Sequence, residues 1–459
     1  MCFVNNQKVR RRRFETRPIL LGMTFLFVVA LVCLDAESCL HAASSADGTD
    51  EPKGRDFFER LREGETGYFG THYYWYNGLQ IVGPEKNVRL RVRAQIMYDV
   101  GYGFVKDDLE SSVSNTDDFQ MDFRRFEVWG WGSLYDALEF KIGFDFANAR
   151  ELRDNWVRFR KIKHLRQCII GHVKESFSLE NITSLNLATF MEKALPTEAL
   201  SPGRNLGILY SVPSLDETRT FALGFFYNTE TLSDVESPRD SMSNANGYNI
   251  STRVTWLPRY EDFGKNLVHV GLSCSYGSRD DDMRLSSRPE SHLADKSLVD
   301  TGEFSLEKFY NTNFEVASVS GPFSFQGEYF HAFTDSEAEG DPDFWGYYLY
   351  VSYFLTGEHR EYDTSRGVFT GARPNNYFRF REKGWGAWEL ALRHSYIDLN
   401  DKNIRGGKEN NFTLGLNWYF TSKTRLMFNY VHARIDHHSS AEIESGYLNM
   451  FMTRFRILF

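Results

Sequence analysis

From residue 88 onward the chain alternates apolar and polar side chains over runs too long for an ordinary soluble sheet, and this pattern restricts its fold more than any other feature. Val88, Leu90, Val92, Ala94, Ile96, Tyr98 and Val100 interleave with Arg89, Arg91, Arg93, Gln95, Met97 and Asp99. Successive side chains of a strand point to opposite faces, so such a run has one apolar and one polar face. The alternation recurs through Leu138, Phe140, Ile142, Phe144 and Phe146, through Tyr248, Ile250, Val254 and Trp256, through Val268, Val270, Leu272, Cys274 and Tyr276, and through Phe412, Leu414, Leu416, Trp418 and Phe420. Soluble strands run to about five or six residues, whereas about 9 to 11 tilted residues cross a hydrocarbon core. The pattern therefore predicts an all-β fold, a transmembrane antiparallel β-barrel whose apolar faces meet lipid, in preference to a soluble sandwich. Trp129, Trp131, Trp345, Tyr347, Trp385, Trp388 and Tyr430 lie near segment ends and are expected in the aromatic girdles at the two membrane interfaces.

A mean hydropathy of -0.45, with no long apolar run after residue 34, excludes a bundle of membrane helices. The 39 Phe and 24 Tyr against only 12 Pro favour strands. Before the barrel, Lys8, Arg10, Arg11, Arg12, Arg13 and Arg17 precede an apolar stretch from Ile19 to Leu34, and small residues follow around Ala42 to Ser45. That order predicts a cleaved signal peptide over 1–43, with a membrane anchor as the other reading of the same stretch. Residues 44–66 read as a polar periplasmic lead-in and 67–459 as the barrel. Of five cysteines only Cys168 and Cys274 follow the leader, so no disulfide framework is expected. Losing the leader removes six positive and three negative side chains and takes the net charge from -9 to -12. That acidity argues against nucleic acid as a partner.

The segments predict about sixteen strands, starting near residues 88, 119, 137, 150, 164, 204, 219, 246, 265, 311, 322, 344, 384, 409, 423 and 446. About sixteen strands leave an aqueous lumen. Tyr135-Asp136 and Thr421-Ser422 are expected as periplasmic turns, and Asp280 to Lys308 and Thr356 to Lys383 as outer loops. At the end of the chain Phe455, Ile457 and Phe459 share one face, with Arg454 and Arg456 on the other.

The stretch from Tyr73 to Gly207 carries Tyr76-Asn77-Gly78-Leu79, Arg93-Ala94-Gln95, Phe123-Arg124-Arg125-Phe126 with Gly130, Glu139-Phe140-Lys141 and Asp145-Phe146-Ala147. It continues through Gly171 to Glu180 (GHVKESFSLE), Thr183-Ser184, Thr189-Phe190-Met191-Glu192, Leu195-Pro196 and Pro202-Gly203-Arg204-Asn205-Leu206-Gly207. In these motifs the chain resembles the phosphate-selective porin O/P family. The resemblance implies an outer-membrane porin, a homotrimer of barrels, and an inward-folded constriction loop, here residues 175–203. Ser176 departs from the family, which usually has proline before the Phe.

Selectivity for an oxyanion requires fixed positive charge on the lumen face. Strand parity nominates Arg89, Arg91 and Arg93, then Arg125, Arg158 and Arg160, with Lys174 and Arg204 bracketing the proposed loop. Arginine stays charged at any working pH and offers a planar fork of donors to phosphate oxygens. Lumen walls also carry such charges without selecting anything, and Glu127, Glu139, Asp145, Glu175 and Glu180 lie close in sequence. Arg124 shares parity with Phe126 and Val128 and is expected at an interface. Asp436-His437-His438 and Asp280-Asp281-Asp282 read as charged turns, and no cofactor, metal site or enzymatic motif is expected. The reading is a water-filled channel for passive diffusion of small solutes, with membrane lipid and small anions such as phosphate as partners. The alternatives are a barrel enzyme of lipase or protease type, which needs a rim nucleophile with a partner His, and a non-conducting scaffold or adhesin.

Overall fold

The computed structural model describes residues 65–66 and 71–459 apart from 77, 84–86, 107–108, 110–118, 148–150, 164, 166, 229–246, 280–281, 295, 380–383 and 437–444. The expected leader, His437-His438 and Asp280-Asp281 lie outside the described residues. After a hairpin of His72–Trp75 and Leu79–Val82, the strands are β1 (Val88–Lys106), β2 (Phe119–Leu134), β3 (Leu138–Asp145), β4 (Glu151–Leu152 and Asn155–Phe159), β5 (Cys168–Lys174), β6 (Arg204–Pro213), β7 (Arg219–Asn228) and β8 (Gly247–Glu261). They continue as β9 (Asn266–Arg279), β10 (Lys308–Ser320), β11 (Phe323–Asp335), β12 (Asp343–Phe354), β13 (Ala387–Asp401), β14 (Ile404–Tyr419), β15 (Thr424–Asp436) and β16 (Gly446–Leu458). Each pairs antiparallel with its sequence neighbours, and β16 returns to β1, with Leu458 opposite Gln95 and Tyr447 opposite Lys106. The result is a closed barrel of 16 strands. Closure leaves no sheet edge, so backbone N–H and C=O groups pair between strands where no water is available.

Burial is inverted relative to a soluble sheet. Phe225, Leu272 and Phe412 are 55%, 54% and 51% exposed, while Arg253, Arg393 and Arg454 are 2%, 0% and 1% exposed. The apolar rows expected to face lipid are the outward ones, and the polar rows point inward. Outward aromatics gather at both ends of the strands. Tyr276 lies 5.0 Å from Tyr310 at one end, and Trp388 stacks on Trp418 at 4.8 Å at the other. Trp345 and Tyr347 pack with Tyr396 in the first of these belts. Trp129 and Trp131 do not belong to either girdle. They pair across β1–β2 with Arg93 and Arg91, on the inward face of Gln95 and Glu127.

Strand direction corrects one loop. Because β1 starts at the end that also holds Phe459, each even-numbered strand finishes there, β12 included. The described residues of 355–386 therefore lie between β12 and β13 at the end of the short turns 135–137 and 420–423, the periplasmic one, and are not an outer loop. The segment 280–307, between β9 and β10, does lie at the outer end.

Three connections fold into the barrel. The segment 175–203, between β5 and β6, holds α1 (Leu179–Ile182) and α2 (Leu195–Leu200), as expected of a constriction loop. The outer segment carries the strand pair Ser286–Ser287 and Val299–Asp300, and the periplasmic one carries Glu361–Asp363 and Val368–Gly371. Phe190, Leu195 and Leu200 pack with Val299 and Phe304 against Phe330, Phe344 and Tyr348 of the wall. Met191 joins Leu293, Met427 and Val431, and Leu179 joins Tyr362, Val368 and Phe369. Each fully buried Leu or Phe contributes about 1.5 to 3 kcal/mol, enough to hold these segments against the wall from β8 to β16.

Candidate functional site: a basic wall facing the inserted loop

The inserted loop is fixed at its start by backbone N–H groups. Leu179 N and Glu180 N donate to the Glu328 carboxylate of β11 at 3.0 and 2.7 Å, and Asn181 N donates to Ser178 Oγ at 3.1 Å. Ser176 and Phe177 are buried there, and Phe177 packs 6.3 Å from Phe330. The chain thus turns inward without the proline usual at Ser176.

On the far side the loop hangs from side chains of β13 to β16 by its carbonyl groups. Arg425 Nη1 donates to Ala188 O at 2.8 Å, Asn417 Nδ2 to Thr189 O at 2.8 Å, and Arg393 Nη1 to Glu192 O at 3.1 Å. Arg454 donates to Met191 O and Arg456 to Asn186 O. Hydrogen bonds from a charged donor contribute about 1.5 to 3 kcal/mol each. Two of these guanidinium groups are also matched by acids, Arg454 by Asp99 at 2.6 Å and Arg393 by Glu290 at 2.6 Å. The inward cations of this wall anchor the loop.

The wall that continues from it across the closing seam, β1 to β6, holds all eight residues nominated from the sequence. Lys174 and Arg204 are direct cross-strand partners where the loop leaves and rejoins the barrel. Lys174 Nζ donates to Asn181 O at 2.6 Å, and Lys193 Nζ of the loop donates to Asn181 Oδ1 at 2.9 Å. Arg204 Nε and Lys141 Nζ both reach Asp154, each at 2.7 Å. Arg125 lies 3.7 Å from Glu127. Below this level, toward the periplasmic end, Arg93 lies over Trp129 at 5.7 Å and Arg91 over Trp131 at 5.9 Å. Arg89 is exposed, and Arg158 and Arg160 share Glu139 at 3.7 and 3.4 Å. The nominated residues thus form two groups, Arg125, Lys174 and Arg204 beside the loop and the other five lower on the same wall.

Parity reasoning missed two members for one reason. A β-bulge shifts the register so that Met97 pairs with Arg125 but Tyr98 with Phe123, leaving Arg124 as the extra residue. A bulge reorients the side chain beside it. Arg124 consequently faces the loop and bonds Glu192 at 2.6 and 2.8 Å instead of lying at an interface. A second register shift divides β4, since Phe144 pairs with Leu152 but Lys141 with Trp156. It turns Arg153 onto Asp145 at 2.7 Å. Lys141 follows simple parity with Glu139, and Lys193 is a loop residue that strand parity does not address.

Two loop carboxyls respond to this setting. Burial alone raises the pKa of Glu192, but Arg124 and Arg454 outweigh it and hold the group well below the ordinary carboxylate range. Burial pushes Glu198 up to about 7, with Arg288 opposing and Glu192 adding to the rise. On the inward face of β1 to β6, Arg91, Arg93, Arg124, Arg125, Lys141, Arg153, Lys174 and Arg204 outnumber Asp99, Glu127, Glu139, Asp145 and Asp154. Such an excess, in confined water, lowers the energy of a passing anion and raises that of a cation. Among the described residues no group of His, Cys, Asp and Glu could hold a metal ion.

Comparison with known proteins identifies the family. The profile of the family described as phosphate-selective porin O and P matches residues 90–455. Porin O of Pseudomonas aeruginosa is 25% identical over 409 residues, covering 78% of this chain and 86% of that protein. An uncharacterized protein of Caulobacter vibrioides is 26% identical over 381 residues, covering 82% and 74%. Among solved structures, an anion-selective porin from Comamonas acidovorans overlays with a TM-score of 0.49 at 10% identity, covering 81% of this chain and 100% of that one. The chain belongs to the phosphate-selective porin O and P family and forms a channel in the outer membrane.

Proposed function

We propose that this channel passes small anions, phosphate among them, along the wall from β1 to β6. The observation that carries the reading is the asymmetry of the lumen. Cations on β13 to β16 are committed to loop carbonyls and acids, whereas those on β1 to β6 exceed the acids near them. Lys174, Lys193, Arg125 and Arg204 offer several partial sites in sequence. Several moderate sites suit transport better than one deep pocket, because an ion must leave as readily as it enters. Current–voltage recordings across a salt gradient test this, with competition by inorganic phosphate reporting whether phosphate occupies the path.

Three further assignments accompany the reading. Residues 1–43 act as a cleaved signal peptide, and sequencing the mature N-terminus tests the boundary. Lipid covers the outward apolar rows. Barrels assemble as a homotrimer through the low wall of β3 to β5, where strands of 8 and 7 residues contrast with 16 in β2. Ile142, Phe144 and Phe146 are exposed outward there, and native mass measurement in detergent tests the assembly.

A further inference from the structure

From the narrow part of the lumen toward the periplasmic end, the inward face of β1 to β4 carries tryptophan and basic side chains in alternating rows. Arg91 pairs across to Trp131, Trp131 to Lys141, and Lys141 to Trp156. In the adjacent row Arg93 pairs to Trp129 and Trp129 to Gly143, whose missing side chain lets Trp129 and Arg153 lie close on either side of it. A Cβ at Gly143 would lie 3.3 Å from the Cβ atoms of both residues. Arg158 lies over Trp156 at 5.5 Å, as Arg91 and Arg93 lie over their own rings. All three indoles are half-buried, so their faces are neither sealed in the wall nor outside it.

Inorganic phosphate uses the charge of such a surface and none of its ring area. A ligand using both must be anionic and have a flat π-face: the ring stacks on indole while the carboxylate takes two hydrogen bonds from a guanidinium fork. We propose that this face is a binding track for aromatic carboxylates, which occupy Trp129, Trp131 and Trp156 with their rings and Arg91, Arg93 and Lys141 with their charge. The proposal rests on the anion-channel reading and adds a substrate class to it.

The test measures block of chloride current through the mature protein in planar bilayers by benzoate and by hexanoate. The two have the same charge and similar size, and only benzoate has a flat ring. Half-block by benzoate is expected at a concentration roughly three- to tenfold lower, the ratio that one aromatic contact provides. In Trp129→Leu/Trp131→Leu/Trp156→Leu the two acids should block equally, while the corresponding triple Phe variant keeps most of the difference. Chloride conductance in each variant reports that the barrel has assembled. Equal block in the wild-type channel, or a preference surviving the leucine variant, overturns the track. A wild-type channel whose reversal potential favours cations overturns the anion reading itself, so the two failures are distinguishable.

Discussion

Arg124 of β2 and Glu192 of the inserted loop form a two-point ion pair, Nε to Oε1 at 2.6 Å and Nη2 to Oε2 at 2.8 Å. Glu192 also meets Arg454 of β16 at 2.5 Å, and Arg454 is held in turn by Asp99 of β1. One loop carboxylate therefore joins both sides of the seam where the barrel closes. Removing its charge in Glu192→Gln takes the paired carboxylate from Arg124, while Arg454 keeps Asp99. The reversal potential in a salt gradient should move further toward the anion limit, with more frequent current fluctuations as the loop loosens. An unchanged potential would show that this pair lies off the ion path.

Arg454 is the stronger anchor. Its side chain is 1% exposed and serves Met191 O, Glu192 and Asp99 together. Removing one partner of such a buried pair costs about 3 to 5 kcal/mol. Arg454→Ala should give a larger, noisier single-channel conductance and a lower unfolding midpoint in denaturant. A quiet channel of normal conductance would mean that the apolar contacts of Phe190, Met191 and Leu195 hold the loop alone.

Burial of Glu198 should give the pore a pH dependence near neutrality. Its pKa is raised to about 7 by burial, so it is neutral below that pH and adds a negative charge near Arg288 and Glu192 above it. Anion preference should fall as pH passes from about 6 to 8, and Glu198→Gln should flatten that change. The linkage has the matching sign. A carboxyl whose folded pKa exceeds its unfolded value, about 4.3, contributes stability fully present below that value and lost as pH rises through about 7. Thermal unfolding of Glu198→Gln should therefore be less sensitive to pH over this window than that of the wild type.

Position along the wall should set how salt weakens each charge. Arg91 and Arg93 lie low on the wall and Arg125 beside the loop. Exposed charges are screened beyond about 10 Å at 0.1 M salt, and confined ones much less. Charge reversal of Arg91 and Arg93 together should reduce anion preference mainly at low salt, whereas Arg125→Glu should reduce it across the salt range. Reversal potentials at 0.05 M and 1 M mean salt separate the two. Equal salt dependence would place both groups at the same depth.

Much of this architecture was legible because a lipid-facing barrel writes its faces into a strict two-residue period. The starts of β1, β2, β6, β7 and β16 coincide with the expected 88, 119, 204, 219 and 446. Parity also put Arg91, Arg93, Arg125 and Arg158 on the polar face, which is the inward one. It failed where a single extra residue enters a strand, at Arg124 and at Arg153, because a bulge resets the period without changing composition. Trp129 and Trp131 misled for another reason: tryptophan suits a membrane interface, and its inward use here depends on cross-strand arginines that local sequence does not show. Length alone suggests an outer loop for Thr356 to Lys383, and only the direction of β12 puts this connection at the other end. The folding of its Tyr362 and Phe369 into the lumen against Leu179 is a tertiary event without a local signal.

Movement of anions along the β1 to β6 wall can be read from the reversal potential of the mature channel in a tenfold potassium chloride gradient, compared with Arg125→Glu/Lys174→Glu. The wild-type potential should lie on the chloride side of zero, and the double variant should lose or invert that preference while still conducting. A wild-type potential on the potassium side, or a double variant indistinguishable from the wild type, would contradict it.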